Sequence, residues 1–141
     1  ELDTGAKMVH LAPDTTSLIT SKSLSKAGGS SIYRSAIYIG PEAKGSKASV
    51  SCDGLMLDNK SRSDTIPAME IHTDECAVGH EAKIGRISGD AIFYLMSRGI
   101  SEEEARTMIV SGFANPVSKE LPLEYAVEMN NLIRLEMKGN M

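Results

Sequence analysis

The chain has 141 residues, of which 41% are hydrophobic and 24% charged, and its net charge is −4. This length permits one domain with a substantial core. The small negative charge leaves no basic surface for nucleic acid or an anionic membrane, and no apolar run approaches the roughly 18 residues of a membrane span. Because Cys52 and Cys76 form no disulfide framework at this size, we expect a cytoplasmic location. The chain begins with Glu1 in what reads as strand, so we expect a C-terminal piece of a longer protein.

Short β-prone runs with alternating apolar and polar residues fill the first part of the chain, to about residue 83. The predicted strands are residues 7–11, 17–20, 32–39, 48–52 and 54–57, with further β-prone positions at 66 and 69–71. The predicted turns are residues 3–5, 12–14, 28–29, 40–41, 44–46 and 58–59. This pattern suits a sandwich or barrel, or a β-solenoid with small inward side chains. The small inward residues and the lack of Trp favour the solenoid, but no sharp repeat period is visible.

After about residue 86 the pattern becomes helical. Ser88 or Asp90 can cap a first helix that ends near residues 98–99. Ser101 and Glu104 form a capping box for a second helix, with an apolar face at residues 105, 108, 109 and 112 and a break at residues 115–116. Pro122 can begin a third helix that ends at residues 138–139. The sequence therefore predicts a β region followed by three helices.

A thiol, an imidazole and a carboxylate stand out in the β region as candidate metal ligands. Cys52 is the thiol, His80 is the imidazole and Glu81 is the carboxylate. Such side chains bind iron and zinc, and stacked strands only about 4.8 Å apart can bring distant residues together. Adjacent strand residues point to opposite faces, so His80 and Glu81 are separate candidates. Cys76, His10 and His72 are interpreted as structural residues.

Six stretches of the sequence, in this order, resemble one known family: residues 3–8, 20–23, 51–53, 80–82, 93–103 (at Phe93-Tyr94-Leu95 and Arg98 to Glu103) and 120–128. This chain resembles the SufB/SufD family, the scaffold proteins of the Suf iron–sulfur cluster assembly system, and it is most similar to SufB. The resemblance implies a right-handed parallel β-helix, whose last rungs would be residues 1–86, followed by a helical domain at residues 87–141.

The resemblance also implies site residues. Cys52 and Glu81 match positions proposed to hold a nascent cluster where SufB meets SufD, and His80 matches a neighbouring histidine. Gly79 departs from the pattern, because SufB proteins often carry Glu there. The site would be completed by a SufD-like subunit or by a second copy of this chain, and its cofactor would be a transient iron–sulfur cluster.

The helical part carries the second set of expected contacts. By the same resemblance, the helical domain docks the ATPase SufC, and the candidate contact residues are Phe93, Tyr94, Met96, Arg98 and Ile100. Packing against the end of the β-helix explains the same apolar cluster equally well.

We therefore expect a scaffold for iron–sulfur cluster assembly with no catalytic turnover, which receives sulfur from donor proteins. The alternative is a β-solenoid module that binds an ABC-type ATPase and never contacts metal. A thiol hydrolase is a third possibility, although no nucleophile elbow or oxyanion hole marks one, and no nucleotide-binding motif is present.

Overall fold

The computed structural model describes residues 1–138 of the chain. It contains six strands: β1 (Leu2–His10), β2 (Thr16–Ser25), β3 (Ser30–Ile39), β4 (Lys47–Met56), β5 (Arg62–Ile71) and β6 (Ala77–Arg86). Three helices follow: α1 (Gly89–Met96), α2 (Glu102–Lys119) and α3 (Leu123–Lys138). The chain divides into two compact units, Glu1–Arg86 and Ile87–Met141. The expected order of a mainly β region and three helices is confirmed.

Alternate strands build two parallel sheets, with the order β1-β3-β5 in one sheet and β2-β4-β6 in the other. The register pairs Leu2 with Ser31, Thr16 with Lys47, Ser30 with Arg62 and Lys47 with Ala77. Neighbouring strands of one sheet are therefore offset by 29 to 32 residues, that is, 31 − 2, 47 − 16, 62 − 30 and 77 − 47. This spacing is a structural repeat that the residue pattern does not show, because the inward positions hold different residue types in each repeat.

The core of the β unit lies between the two sheets. Its buried members come from β2, β3, β4 and one loop, and they are Ile19, Ile37, Ile39, Ala43, Ala48, Val50 and Cys52. Alternate residues of β4 are buried, from Ala48 through Val50 to Cys52, so this face of the strand points inward. Paired residues of parallel strands share a face, and the register therefore identifies the inward residues of β6 as well.

Three details of the predicted strands are wrong. Residues 3–5 lie within β1 and not in a turn. Gly5 is needed in this strand because a Cβ there would collide with the carbonyl oxygen of Arg34, and glycine allows β1 and β3 to approach each other. β4 is one strand through Gly54, where two were predicted. β6 is a full ten-residue strand whose bounds could not be predicted from the sequence pattern. Its outward residues include Gly79, Glu81 and Lys83, which are residue types that are depleted in strands.

The turn between β4 and β5 is held by the carboxylate of Asp58. The backbone N–H groups of Lys60 and Ser61 each donate to Asp58 Oδ1 at 2.7 Å, and the Ser61 hydroxyl donates to Oδ2 at 2.9 Å. Desolvation alone would raise the pKa of Asp58, but these hydrogen bonds and one from the backbone of Ala27 outweigh it and lower the pKa from 3.8 to about 2.

The helical unit follows the predicted helix starts closely. Ser88 caps α1 by accepting a hydrogen bond from the N–H of Ala91. The capping box of α2 is present, since Ser101 Oγ accepts from the N–H of Glu104 while the Glu104 carboxylate accepts from the N–H of Ser101. α1 ends before Gly99, which adopts a positive φ of 87°.

The predicted break at residues 115–116 is wrong, because α2 continues through Pro116 to Lys119. Proline near a helix end removes only one backbone hydrogen bond, and Ala114 and Ser118 on either side of it are buried in the packed unit. The predicted α2 face is partly wrong, because Met108 is exposed. The predicted helix end at Gly139 lies outside the described residues. Within residues 1–138, no helix has the length and hydrophobicity needed to cross a membrane.

Candidate functional site

Cys52 lies near the middle of β4 with its side chain on the inner face of the sheet β2-β4-β6. Only 4% of it is exposed, and it belongs to the core cluster with Val50 and Ile37. Its register partners are Ser21 on β2 and Ala82 on β6. The thiol therefore lies one strand away from β6, which is an edge strand of this sheet, as is β2.

His80 shares the inner face with Cys52. It pairs with Val50, two residues before Cys52, so the two ligand candidates are diagonal neighbours on adjacent strands. A strand spacing of 4.8 Å and a two-residue rise place their Cα atoms roughly 8 Å apart. His80 Nε2 is buried and has no hydrogen-bond partner within the described residues. An imidazole nitrogen in this state is free to accept a hydrogen bond or bind a metal.

Glu81 lies on the opposite, outer face of the same sheet. It pairs with Ser51, and its carboxylate forms an ion pair with Lys83 at 2.8 Å while 63% of its side chain is exposed. The hydrogen bond from Lys83 to Glu81 and their mutual attraction raise the pKa of Lys83. The structure thus brings Cys52 and His80 to one face and does not bring Glu81 to them.

Gly79 also lies on the outer face, because it is two residues before Glu81 on the same strand. A Cβ at this position would have no atom within 4 Å. It borders an open groove of about 540 Å³ that also includes Leu18 and Ser49. A carboxylate at position 79 would therefore accompany Glu81 and not Cys52.

A small pocket of about 10 Å³ adjoins Cys52 on the inner side. Tyr33 on β3 and Thr65 on β5 line it from the opposite sheet, and the two are register partners. Thr65 Oγ1 is buried without a hydrogen-bond partner within the described part of the chain. Burial raises the pKa of the Tyr33 phenol, and the nearby Cys52 adds to the effect.

Serine hydroxyl groups also line this pocket. Ser23 Oγ and Ser63 Oγ lie 2.9 Å apart, and Ser31 Oγ donates to Ser63 Oγ at 3.3 Å. Gly54 makes room for them, since a Cβ there would approach Ser63 Oγ to 2.5 Å. The interior next to Cys52 is therefore polar on one side, whereas Val50 and Ile37 make the other side apolar.

Tyr33 and Thr65 also line this pocket, although the sequence alone does not mark them. They precede and follow Cys52 by many residues, and only the strand register places them around the same pocket. No local signal marks them, because Tyr and Thr are ordinary strand residues.

The charged residues around the site are paired on the outer face. Lys22 Nζ on β2 donates to Asp53 Oδ2 on β4 at 2.6 Å, and Lys83 is the register partner of Asp53 on β6.

Across residues 1–138, no three His, Cys, Asp or Glu side chains converge in a geometry that could hold a metal ion.

The other cysteine and histidines have structural environments. Cys76 is half-buried, and its thiol donates to the carbonyl oxygen of Thr73 at 3.4 Å. The ring nitrogens of His10 contact Thr15 Oγ1 at 2.6 Å and Ser17 Oγ at 2.7 Å. His72 lies just after β5 and pairs with a glutamate, Glu70, at 2.8 Å.

The predicted ATPase-contact residues lie at and just after α1. Phe93 is 73% exposed, Tyr94 and Met96 are also exposed, and Ile100 is half-buried. The guanidinium of Arg98 stacks over the Tyr94 ring, 4.6 Å from its centroid. Ile92 is the buried residue of this helix, whereas Phe93, Tyr94 and Met96 lie at the surface of the helical unit.

Comparison with known proteins identifies the family. The family model "SUF system FeS cluster assembly, SufBD core domain" matches residues 1–113. Proteins named "Iron-sulfur cluster assembly SufBD family protein" from Staphylococcus aureus (strain USA300) and Staphylococcus haemolyticus (strain JCSC1435) are each 57% identical over 138 residues. These residues are 98% of this chain and 30% of each relative, so the chain spans about 30% of the length of the curated relatives it matches. The chain therefore belongs to the SufBD family of iron–sulfur cluster assembly proteins.

Proposed function

We propose that this chain is the cluster-holding part of a SufB-like scaffold, in which a nascent iron–sulfur cluster is the cargo and no catalytic turnover occurs. Sulfur from donor proteins and iron would be assembled next to Cys52 and released to recipient proteins in the cytoplasm. The family membership supports the assembly role, and the residues around Cys52 support the position of the site.

The observation that carries this proposal is the placement of Cys52 and His80 on one face beside the edge strand β6. A thiolate and an unpartnered imidazole nitrogen are a chemically suitable pair of iron ligands. Two protein ligands leave an iron atom open to ligands from another subunit. Glu81 remains a candidate ligand that would need a different orientation of β6 or a partner subunit, because it points outward here.

The edges of both sheets suit a shared site. Within residues 1–138, β5 and β6 each pair with one strand, and exposed backbone edges of this kind pair readily with another chain. Inward residues of this last pair, such as Met69 and Ile71, are 42% and 45% exposed. We propose that a SufD-like subunit or a second copy of this chain covers them and that the two sheets are the last rungs of a right-handed parallel β-helix.

Anaerobic reconstitution with ferrous iron and sulfide tests the proposal. The protein expressed from its complete gene should develop visible absorbance, and Cys52→Ala should remove it. Cys76→Ala is the matched control, because its thiol is already engaged by the Thr73 carbonyl and should leave the absorbance unchanged. Equal absorbance from the Cys52→Ala variant would refute the role of Cys52.

The helical unit would dock a SufC-like ATPase through the residues around α1. The exposure of Phe93, Tyr94 and Met96 supports this assignment, since an apolar surface of this kind is typical of a protein contact. A pull-down with the ATPase should fail for Phe93→Asp and succeed for Leu135→Asp, which changes a residue of similar exposure on α3. Equal binding by both variants would contradict the docking site.

The alternative function, a module that binds an ABC-type ATPase without contacting metal, is favoured by the same exposed helix residues. It predicts ATPase binding together with no visible absorbance in any oligomeric state, so the reconstitution experiment separates the two functions.

A further inference from the structure

Thr65 has a feature that neither packing nor strand formation explains. Its hydroxyl oxygen is buried and finds no hydrogen-bond partner within the described residues, although other interior hydroxyls such as Ser23 and Ser63 are paired. A buried hydroxyl without a partner destabilises a fold, and valine would fill the same space without that penalty. A retained unpartnered hydroxyl is expected where a group absent from the resting protein is bound.

The pocket that Thr65 lines also borders Cys52. Tyr33, Ser23 and Ser63 line the pocket together with Thr65, and the lack of a side chain at Gly54 leaves room for the Ser63 hydroxyl. Its volume of about 10 Å³ accommodates one small atom or one water molecule. A sulfide bound beside Cys52 as part of a nascent cluster is of that size, and hydroxyl groups are suitable donors to a negatively charged sulfur.

We infer that Thr65 is a positioning residue that donates a hydrogen bond to a sulfur held at Cys52, with the Tyr33 hydroxyl as a second donor. The group that accepts these hydrogen bonds is the Cys52 thiolate or a sulfide of the nascent cluster. This inference rests on the proposed function of Cys52, and it extends that function to the opposite sheet. Hydrogen bonds to sulfur tune the electronic properties and stability of iron–sulfur clusters.

The first test measures metal binding at Cys52 without any cluster. The metal-free protein, expressed from its complete gene and carrying Cys76→Ala, is titrated with Cd²⁺, and the sulfur-to-metal charge-transfer absorbance is followed. A hydroxyl that donates to the metal-bound sulfur stabilises the complex, so Thr65→Val should weaken Cd²⁺ binding about tenfold. Thr65→Ser retains the hydroxyl and should bind Cd²⁺ within about twofold of the original affinity, and Cys52→Ala should remove the absorbance.

The second test measures retention of the reconstituted cluster against a chelator. The half-life should shorten in Thr65→Val and in Tyr33→Phe, and Thr65→Ser should retain the original value. Equal behaviour of the Val and Ser variants in both tests, as a pocket that holds only water would give, overturns the inference. If Cys52→Ala itself retains the cluster, the proposed function of Cys52 fails. If Cys52→Ala loses the cluster but Thr65→Val is unaffected, only the inference fails.

Discussion

The unpartnered hydroxyl of Thr65 predicts a substitution that stabilises the protein while weakening its function. A buried hydroxyl without a hydrogen bond costs about 1–3 kcal/mol, and Thr65 is only half-buried, so the lower end of that range, about 1 kcal/mol, applies. Thr65→Val keeps the branched shape that suits a strand and removes the oxygen. The free energy of unfolding should therefore rise, and with a urea slope of about 2 kcal/mol per molar the midpoint should rise by about 0.5 M.

Equilibrium unfolding in urea, followed by circular dichroism, is the assay. Thr20→Val is the matched control, because Thr20 lies on β2 of the other sheet with its side chain exposed and reports the intrinsic strand preference of valine alone. Its midpoint should change much less. A Thr65→Val midpoint that falls, or that rises no more than that of Thr20→Val, would show that the hydroxyl is satisfied in solution and would remove the basis for its role beside Cys52.

Three further predictions concern the core, the β4–β5 turn and the thiol. Val50→Ala should lower the free energy of unfolding by about 2–3 kcal/mol because Val50 is 1% exposed, whereas Val9→Ala, at a 51% exposed position, should lower it by under about 0.5 kcal/mol in the same assay. The pKa of Asp58 is lowered from 3.8 to about 2, so the ionised carboxylate stabilises the fold fully above the unfolded-state pKa, and this stabilisation is lost as the pH falls towards 2. Asp58→Asn should therefore reduce the dependence of the unfolding midpoint on pH between about pH 4 and pH 2. Cys52→Ala should lower stability by about 1–2 kcal/mol because the thiol is a core group, and Cys76→Ala should lower it less.

The fold class could be predicted from the sequence because strand alternation and helix capping are local signals. Ser88 and the Ser101–Glu104 box mark helix starts within four residues of chain, and the structure has helices at these places. The repeat of 29 to 32 residues was not visible, since it depends on strand pairing and is not carried by a repeated motif. Pro116 shows the reverse error, in which a strong local signal for a helix break is overridden by the burial of its neighbours.

The candidate site could be predicted only in part, for a physical reason. Cys52, His80 and Glu81 were recognisable by their side-chain chemistry and by family resemblance, and alternation correctly separated His80 from Glu81. Which of the two shares a face with Cys52 depends on the register between β4 and β6, which residue patterns do not encode. The positions of Thr65 and Tyr33 beside Cys52 could not be predicted for the same reason, because these residues belong to the opposite sheet and only strand register places them there.

The register makes His80 and Glu81 alternatives as companions of Cys52. A one-residue slip or a bulge in β6 that turned Glu81 inward would turn His80 outward at the same time. In the observed register the side chain that shares a face with Cys52 is His80, and if His80 is the ligand, loading a cluster should leave the hydrogen exchange of the β6 amides from 79 to 83 unchanged or slower. Faster exchange at these amides on loading would mean that β6 rearranges and that Glu81 replaces His80. The comparison of His80→Ala with Glu81→Ala by cluster retention gives the same distinction independently.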